Sequence, residues 1–162
     1  MRTITTLGVL ALLTLPASGQ QGAPQPPPTD RTKASQFTSA ELAAAIAKVP
    51  TDRPVTGTRI FTLAPYAVNV ERRQPMAQGA SVHEAQAELF YIIDGSATLL
   101  TGGKLVGETR NGTNLSGKGI EGGTPHKFSK GDFLVVPSGV PHQLVDIQAP
   151  VTLMSLYLPN TP

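Results

Sequence analysis

The sequence has 162 residues, enough for a single domain, and contains no cysteine. Disulfides, thiolate metal ligands and catalytic thiols are therefore excluded, and any metal must be held by imidazole and carboxylate groups. The formal net charge is only +2 and no basic run is present, so composition gives no support for nucleic acid or an anionic membrane as a partner.

Residues 1–19 have the three parts of a secretory signal peptide. Arg2 supplies the positive charge, residues 7–15 supply the apolar segment, and residues 17–19 are the small side chains of a cleavage site. The apolar segment is too short to span a bilayer core of about 30 Å, so we do not expect an uncleaved anchor. The sequence therefore predicts a periplasmic or secreted protein with no membrane contact after cleavage.

Residues 20–36 are rich in proline, with three consecutive prolines at positions 26–28. Because proline fixes φ and lacks an amide donor, this stretch cannot join the interior of a sheet. We predict a disordered tether, followed by a folded domain over residues 37–162.

A short helix is predicted at the start of that domain. Thr38 and Glu41 have the spacing of a capping box, and Pro50 ends the helical pattern. The larger apolar side chains fall on one stripe: Leu42, Ile46 and Val49. Such a stripe is expected to pack on a sheet.

From residue 55 onward the pattern changes to short strands, separated by turn signals such as Asp94-Gly95. Eight strands are predicted: Arg59–Leu63, Ala67–Arg72, Ala87–Ile93, Ala97–Thr101, Lys127–Phe128, Phe133–Val136, Gln143–Asp146 and Val151–Leu158. Short strands at close spacing are typical of a sandwich or a barrel, so the expected fold class is all-β with one short N-terminal helix.

Residues 111–119 are rich in glycine and asparagine, and we predict an exposed loop because they carry too few apolar side chains to pack a core. Asn111 and Asn114 each begin a formal N-glycosylation sequon. We favour two unmodified turn asparagines, since nothing in the sequence indicates a eukaryotic source.

The sequence has only three histidines, and two of them stand in spaced motifs. In the first motif, four residues separate His83 from Glu88, and six separate Glu88 from Gly95. In the second, five residues separate Gly131 from the segment Pro137-Ser138-Gly139, and His142 follows after two more. These two motifs resemble those of the cupin superfamily.

The resemblance implies a jelly-roll barrel, also called a double-stranded β-helix, that holds a divalent metal ion. Carried over residue by residue, the ligands would be His83, Glu88 and His142. Ser81 occupies the place of a further metal-binding histidine, and Pro75 the place of a leading glycine. The implied site therefore has three ligands, with Fe, Mn, Ni or Zn as the ion, and the resemblance also implies a homodimer.

The chemistry of the residues supports part of this implication. Burying a carboxylate and imidazoles without partners inside an apolar β core costs several kcal/mol. A divalent ion would satisfy all three groups at once. The alternative is that the two histidines are hydrogen-bonded residues of the core or rim, with Glu88 exposed to solvent.

Other polar side chains are weaker candidates. His126 could line a pocket, lie on the surface or replace the ligand missing at Ser81. Glu84 and Gln86 could hydrogen-bond a ligand or face solvent. Arg72 and Arg73 could bind an anionic substrate or form a solvated strand end.

Three further polar residues have two interpretations each. Tyr91 and Tyr157 could point a phenol into the cavity, although tyrosine in a strand is more often a packing residue. Asp146 stands where the second cupin motif usually has asparagine, and it could orient His142 or face water.

Three functions are compatible with this sequence. The first is a metal-dependent enzyme that acts on a small molecule, as a dioxygenase, isomerase or lyase, with Glu88, His126 and Tyr91 as catalytic candidates. The second is a non-catalytic module that binds a small ligand or a metal. The third is a structural cupin whose site is inactive.

Overall fold

The computed structural model describes residues 28–160, which form one α-helix and thirteen β-strands. The expected all-β class with a single short helix is confirmed for this part of the chain. The predicted signal peptide lies outside the described residues, as do the first eight residues of the predicted tether, and both stay predictions.

The described end of the predicted tether, residues 28–36, contains no helix or strand. It is nevertheless hydrogen-bonded to the sheet through Thr29. The Thr29 amide donates to the Thr62 carbonyl at 2.8 Å, and the Thr62 amide donates to the Thr29 hydroxyl at 3.1 Å.

The helix, α1, spans Ser39–Lys48 and begins with the predicted capping box. The Glu41 amide donates to the Thr38 hydroxyl at 3.2 Å, and the Thr38 amide donates to the Glu41 carboxylate at 2.7 Å. Between residues 28 and 160 no helix has the length and apolar character needed to cross a membrane.

The strands form three antiparallel sheets. They are β1 (Val55–Leu63), β2 (Tyr66–Arg73), β3 (Ala80–His83), β4 (Gln86–Asp94), β5 (Ser96–Thr101), β6 (Lys104–Val106), β7 (Thr109–Asn111), β8 (Asn114–Gly117), β9 (Gly119–Glu121), β10 (Thr124–Ser129), β11 (Phe133–Val136), β12 (His142–Val145) and β13 (Val151–Pro159). The five-stranded sheet has the order β1-β2-β13-β4-β11, and the six-stranded sheet has the order β10-β5-β12-β3-β8-β7. Strands β6 and β9 form a separate ribbon.

The two larger sheets enclose the main apolar core. Its buried side chains come from both sheets: Phe90, Ile92, Leu99, Phe128, Val136, Leu144, Val151 and Leu153. Because alternate residues of a strand share one face, Glu88 lies on the core face of β4, next to Phe90. By the same alternation His142 lies beside Leu144 on β12. The core therefore ends in two polar side chains that face each other.

The prediction of a loop over residues 111–119 is wrong, because the segment forms strands, although most of its residues are exposed as expected. This segment contributes to β7, β8 and β9: β7 and β8 extend the six-stranded sheet beyond β3, and β9 pairs with β6 in the separate ribbon. A second apolar cluster forms there from Ala80, Val82 and Leu105, with Leu115 and Ile120 packed against it. Leu115 is the one large apolar side chain within residues 111–119, and backbone hydrogen bonds along the ladders supply the rest of the pairing.

Candidate metal centre

Three strands bring His83, Glu88 and His142 together at one end of the core. His83 ends β3, Glu88 lies on β4 and His142 begins β12, so both sheets contribute. One possible ligand atom from each side chain lies within 4.8 Å of the others. The structure thus places the three sequence-predicted ligands in one cluster that could hold a metal ion.

Both histidines direct the same ring atom to the same carboxylate oxygen. Nε2 of His142 lies 3.1 Å from Oε2 of Glu88, and Nε2 of His83 lies 3.3 Å from it. Two ligands at about 2.1 Å from an ion, at tetrahedral or octahedral angles, are about 3.0 to 3.4 Å apart. Both nitrogen–oxygen separations therefore match those of two ligands on one small divalent ion, and the three ligand atoms together lie within 4.8 Å.

The other nitrogen of each ring has its own acceptor. Nδ1 of His83 lies 2.8 Å from Oδ1 of Asn114, and Nδ1 of His142 lies 3.2 Å from the carbonyl oxygen of Val140. A neutral imidazole with its proton on Nδ1 would offer the Nε2 lone pair to a metal, whereas an imidazole protonated on both nitrogens donates its Nε2–H to Glu88. Asn114 thus orients His83. In the sequence, Asn114 was noted only as the first residue of a glycosylation sequon.

The charges in the cluster shift the pKa values of its members. Burial alone would raise the pKa of Glu88, but hydrogen bonds from His142 and His83 hold it at about 2. Burial lowers the pKa of His83, whereas its hydrogen bonds to Glu88 and Asn114 raise it, and the net shift is upward. The carboxylate is therefore ionised and ready to bind a cation at neutral pH.

The place of the further histidine is occupied by a hydroxyl group. Ser81 lies directly opposite His142 in the pairing of β3 with β12, and the two side chains share one face of the sheet. Thr101 lies opposite His142 on the other side, in β5. Hydroxyl groups rather than strong metal ligands therefore flank His142.

Tyr157 is a residue of the site. It pairs with Glu88 across β13 and β4, and its ring centroid lies 4.9 Å from that of His83. Burial raises the pKa of its phenol, and the negative charges of Glu88 and Glu71 raise it further. The phenol therefore stays neutral and can donate a hydrogen bond.

The structure does not bring Tyr91 to this cluster. Tyr91 alternates with Glu88 along β4 and faces the opposite side of the sheet, where its ring centroid lies 4.7 Å from that of Phe133. A phenol in this position contacts apolar side chains outside the barrel.

His126 lies outside the three-residue cluster but on the same side of its sheet. It pairs with the core residue Leu99, so its exposed ring is on the interior face of β10. Its Nε2 lies 2.9 Å from the hydroxyl oxygen of Thr101, the neighbour of His142. His126 therefore lies on the edge strand β10, and β5 separates it from β12, the strand that carries His142.

Two other candidates from the sequence lie away from the cluster. Glu84 is exposed and accepts two hydrogen bonds from Arg110, at 2.6 and 2.9 Å. Asp146 is exposed with φ of 57°, a left-handed conformation that aspartate and asparagine tolerate better than most residues. The backbone thus accounts for an Asn-type residue at position 146.

A second polar group lies on the interior face of the five-stranded sheet. Arg73 donates to Oε2 of Glu71 at 2.5 Å, and the Ser155 hydroxyl donates to Oε1 at 3.0 Å. Nε of Arg59 donates to Asn69 at 3.3 Å. The sequence analysis did not identify this group as a whole. The alternation of Asn69, Glu71 and Arg73 along β2 is the sequence signal that could have revealed it.

Comparisons with known proteins concern the fold. No protein-family model and no curated protein matches the sequence. Similar solved structures include KdgF from Halomonas sp., which is 14% identical, with 80% of this chain and 96% of that chain covered and a TM-score of 0.54.

Two further structures are similar over a shorter span. The cupin domain of Cnp3 from Schizosaccharomyces pombe is 14% identical, with 71% of this chain and 72% of that chain covered and a TM-score of 0.52. The iron(II) form of HppE is 13% identical, with 68% of this chain and 55% of that chain covered and a TM-score of 0.52. At these identities the likeness concerns the fold alone.

Proposed function

We propose that this chain, which has the cupin fold, is an exported metal-dependent enzyme that acts on a small molecule. The observation that carries the proposal is the convergence of His83, Glu88 and His142 on one point, with neutral hydroxyl groups where a fourth ligand would stand. Three protein ligands leave room for a substrate at the same ion, as catalytic sites require.

A bound divalent ion would polarise a substrate oxygen or, if it were iron, support oxidation by O₂. Iron is the first ion to test, because the similar structure of HppE contains Fe(II). Dioxygenase, isomerase and lyase reactions all fit such a site.

The protein would supply positioning and hydrogen bonding. Asn114 and the Val140 carbonyl hold the two imidazole rings in one orientation. The neutral phenol of Tyr157 lies beside His83 and would donate a hydrogen bond to a substrate oxygen. His126, at the open edge, is the residue best placed to exchange protons with solvent.

Removing the Tyr157 hydroxyl tests whether the phenol contributes to turnover rather than only to packing. Tyr157→Phe keeps the ring and the three ligands but removes the phenol hydroxyl beside His83. We expect unchanged metal content and turnover about 100-fold lower. The assay is product formation or O₂ uptake by iron-loaded protein with a panel of catechols, diketones and hydroxy acids.

A non-catalytic binding module is the second candidate, because Ser81 in place of histidine removes one strong ligand from the site. Full metal loading with no turnover by the wild-type protein across the panel would favour this module. Equal turnover by wild type and Tyr157→Phe would contradict the role given to the phenol.

The export part of the proposal is supported by the charge and apolar pattern of residues 1–19. We expect protein recovered from the periplasm or medium of an expressing bacterium to begin near residue 20. Intact mass measurement checks this, and a full-length chain found only in the cytoplasm would contradict it.

A further inference from the structure

A line of polar side chains runs along the interior face of β2, which pairs with β13, the strand that carries Tyr157. Asn69, Glu71 and Arg73 pair with Ser155, Leu153 and Val151 of β13, three residues with 0 to 1% of their surface exposed. Paired residues share one face of a sheet, so these polar side chains point into the barrel. Arg72 alternates with them and points to the other side.

The hydrogen bonding within this line is unequal. Glu71 is fully engaged, since one carboxylate oxygen accepts from Ser155 and the other from Arg73. Arg73 is not, because its Nε is buried and has no hydrogen-bond partner among the described residues. A guanidinium group has five N–H donors in a planar fork, and a buried donor without a partner is costly. Solvent does not reach Nε, so the capacity for a further acceptor lies in the Nη groups at the end of the fork, of which only Nη2 donates to Glu71.

The charges on this side of the barrel also favour an anion. The interior face of the five-stranded sheet carries two guanidinium groups, Arg59 and Arg73, and two carboxylates, Glu71 and Glu88. These four charges balance, so a bound divalent ion would leave its own positive charge uncompensated. A ligand that carries negative charge would restore the balance.

The opposite wall is polar but uncharged. The contacts of Tyr157 with His83 and of Glu88 with His142 place β13 opposite β3 and β4 opposite β12. The next strands in each sheet, β2 and β8, are therefore opposite each other as well. On β8 the interior positions are Asn114 and Ser116, so no acidic side chain on that strand competes for Arg73.

We propose that Arg73 binds a carboxylate group of the ligand, and that the ligand is a small organic acid that also reaches the metal. This assignment rests on the proposed function, because the same molecule would occupy the open side of the metal centre. It also explains why an arginine lies inside the barrel with guanidinium donors that Glu71 does not accept.

Binding of simple acids tests the assignment without any turnover. Zinc-loaded protein is titrated calorimetrically with acetate and with malonate, succinate and glutarate. Acetate can engage the metal alone, whereas a dicarboxylate of suitable length can reach Arg73 as well. We expect at least one dicarboxylate to bind the wild type about 10-fold or more tighter than acetate.

Variants of Arg73 test whether this residue causes the tighter binding of the dicarboxylate. In Arg73→Gln the preference for the dicarboxylate should fall to about 2-fold or less, while acetate binding stays the same. Because this change leaves Glu71 without its cation, the double variant Glu71→Gln/Arg73→Gln is measured too and should behave alike. Arg110→Gln is the matched control, since Arg110 is exposed and bound to Glu84, and it should keep the full preference.

The outcomes separate this proposal from the previous one. Zinc content is measured on every sample, and a wild type that binds no zinc contradicts the proposed function. Fully loaded protein that shows no dicarboxylate preference, or that keeps it in both Arg73 variants, overturns the carboxylate site. If zinc does not bind, the metal-free protein is titrated, and malonate affinity that is the same in wild type and Arg73→Gln also overturns it.

Discussion

At the scale of single residues, the site is held by hydrogen bonds that lie behind the ligands. Asn114 fixes His83 and the Val140 carbonyl fixes His142, so that both Nε2 atoms meet one oxygen of Glu88. Groups that orient metal ligands in this way usually contribute 10- to 100-fold to metal affinity.

Asn114→Ala should therefore weaken metal binding about 10- to 100-fold without unfolding the protein. The reason is that the His83 ring loses the acceptor that sets its orientation. Competition with a chromophoric chelator measures the affinity. Asn111→Ala, the cross-strand neighbour, is the control and should leave the affinity unchanged; equal effects of the two variants would contradict the role of Asn114.

Ser81 offers a second test at this scale, because it lies beside His142 on the interior face. Ser81→His would add a third imidazole to the cluster, and we expect metal affinity to rise about 10-fold or more. Ser116→His places an imidazole one strand further away and should not raise it. Chelator competition again gives the answer, and unchanged affinity in Ser81→His would show that position 81 does not reach the ion.

The sequence predicted the three ligands, because their motif spacing is specific, but it could not rank the polar residues around them. Tyr91 and Tyr157 look alike in sequence, and only strand register shows that Tyr157 shares a face with Glu88. Asn114 is 31 residues from His83 in the chain, so their contact depends on how β3 pairs with β8.

At the scale of elements, the ribbon of β6 and β9 does more than connect strands. It holds Leu105 and Ile120 against Ala80 and Val82, on the outer side of the strand that carries His83. Gly103 allows the chain to turn there, since a Cβ would lie 2.3 Å from the Glu121 carbonyl oxygen and φ is +71°. The ribbon therefore supports one ligand from behind.

Leu105→Ala should lower the free energy of unfolding by about 2 to 4 kcal/mol, because Leu105 is 8% exposed and the change leaves a cavity. Val106→Ala, at a position 38% exposed, should change it by about 0.5 kcal/mol or less. Urea unfolding measures both. Similar small effects in the two variants would mean that the ribbon does not pack.

The eight strands predicted from sequence correspond to β1, β2, β4, β5, β10, β11, β12 and β13, because each combines apolar or β-branched residues with flanking turn signals. The segments that were missed, β3 and β6 to β9, are three or four residues long. Of these, β7, β8 and β9 also contain fewer apolar residues than β11 and β12, which have only four residues but were predicted, so their pairing partners rather than local composition decide their structure.

At the scale of the whole molecule, the outer face of the five-stranded sheet has an uncovered apolar end. Phe133 and Val135 on the edge strand β11 are 66% and 60% exposed, and Phe133 packs on Tyr91. Within residues 28–160 no strand pairs with the outer edge of β11, and an exposed apolar patch beside such an edge is typical of an association surface. We propose that it forms the homodimer expected from the sequence.

The double variant Phe133→Glu/Val135→Lys should be monomeric, while the wild type elutes as a dimer at micromolar concentration. Charged side chains would be desolvated in the interface, which opposes association. Val55→Lys, on the edge strand β1 at the other side of the sheet, should remain dimeric. Sizing with light scattering checks all three, and a monomeric wild type would refute the dimer.

His83, Glu88 and His142 are expected to bind one metal ion per chain, and elemental analysis of protein purified without a histidine tag measures this. After loading with a divalent metal and removal of the excess, the wild type and the control Glu84→Ala should hold about one equivalent per chain. Glu88→Ala should hold about a tenth of that or less. Equal metal in Glu88→Ala and wild type, or a wild type that retains none, would contradict the account.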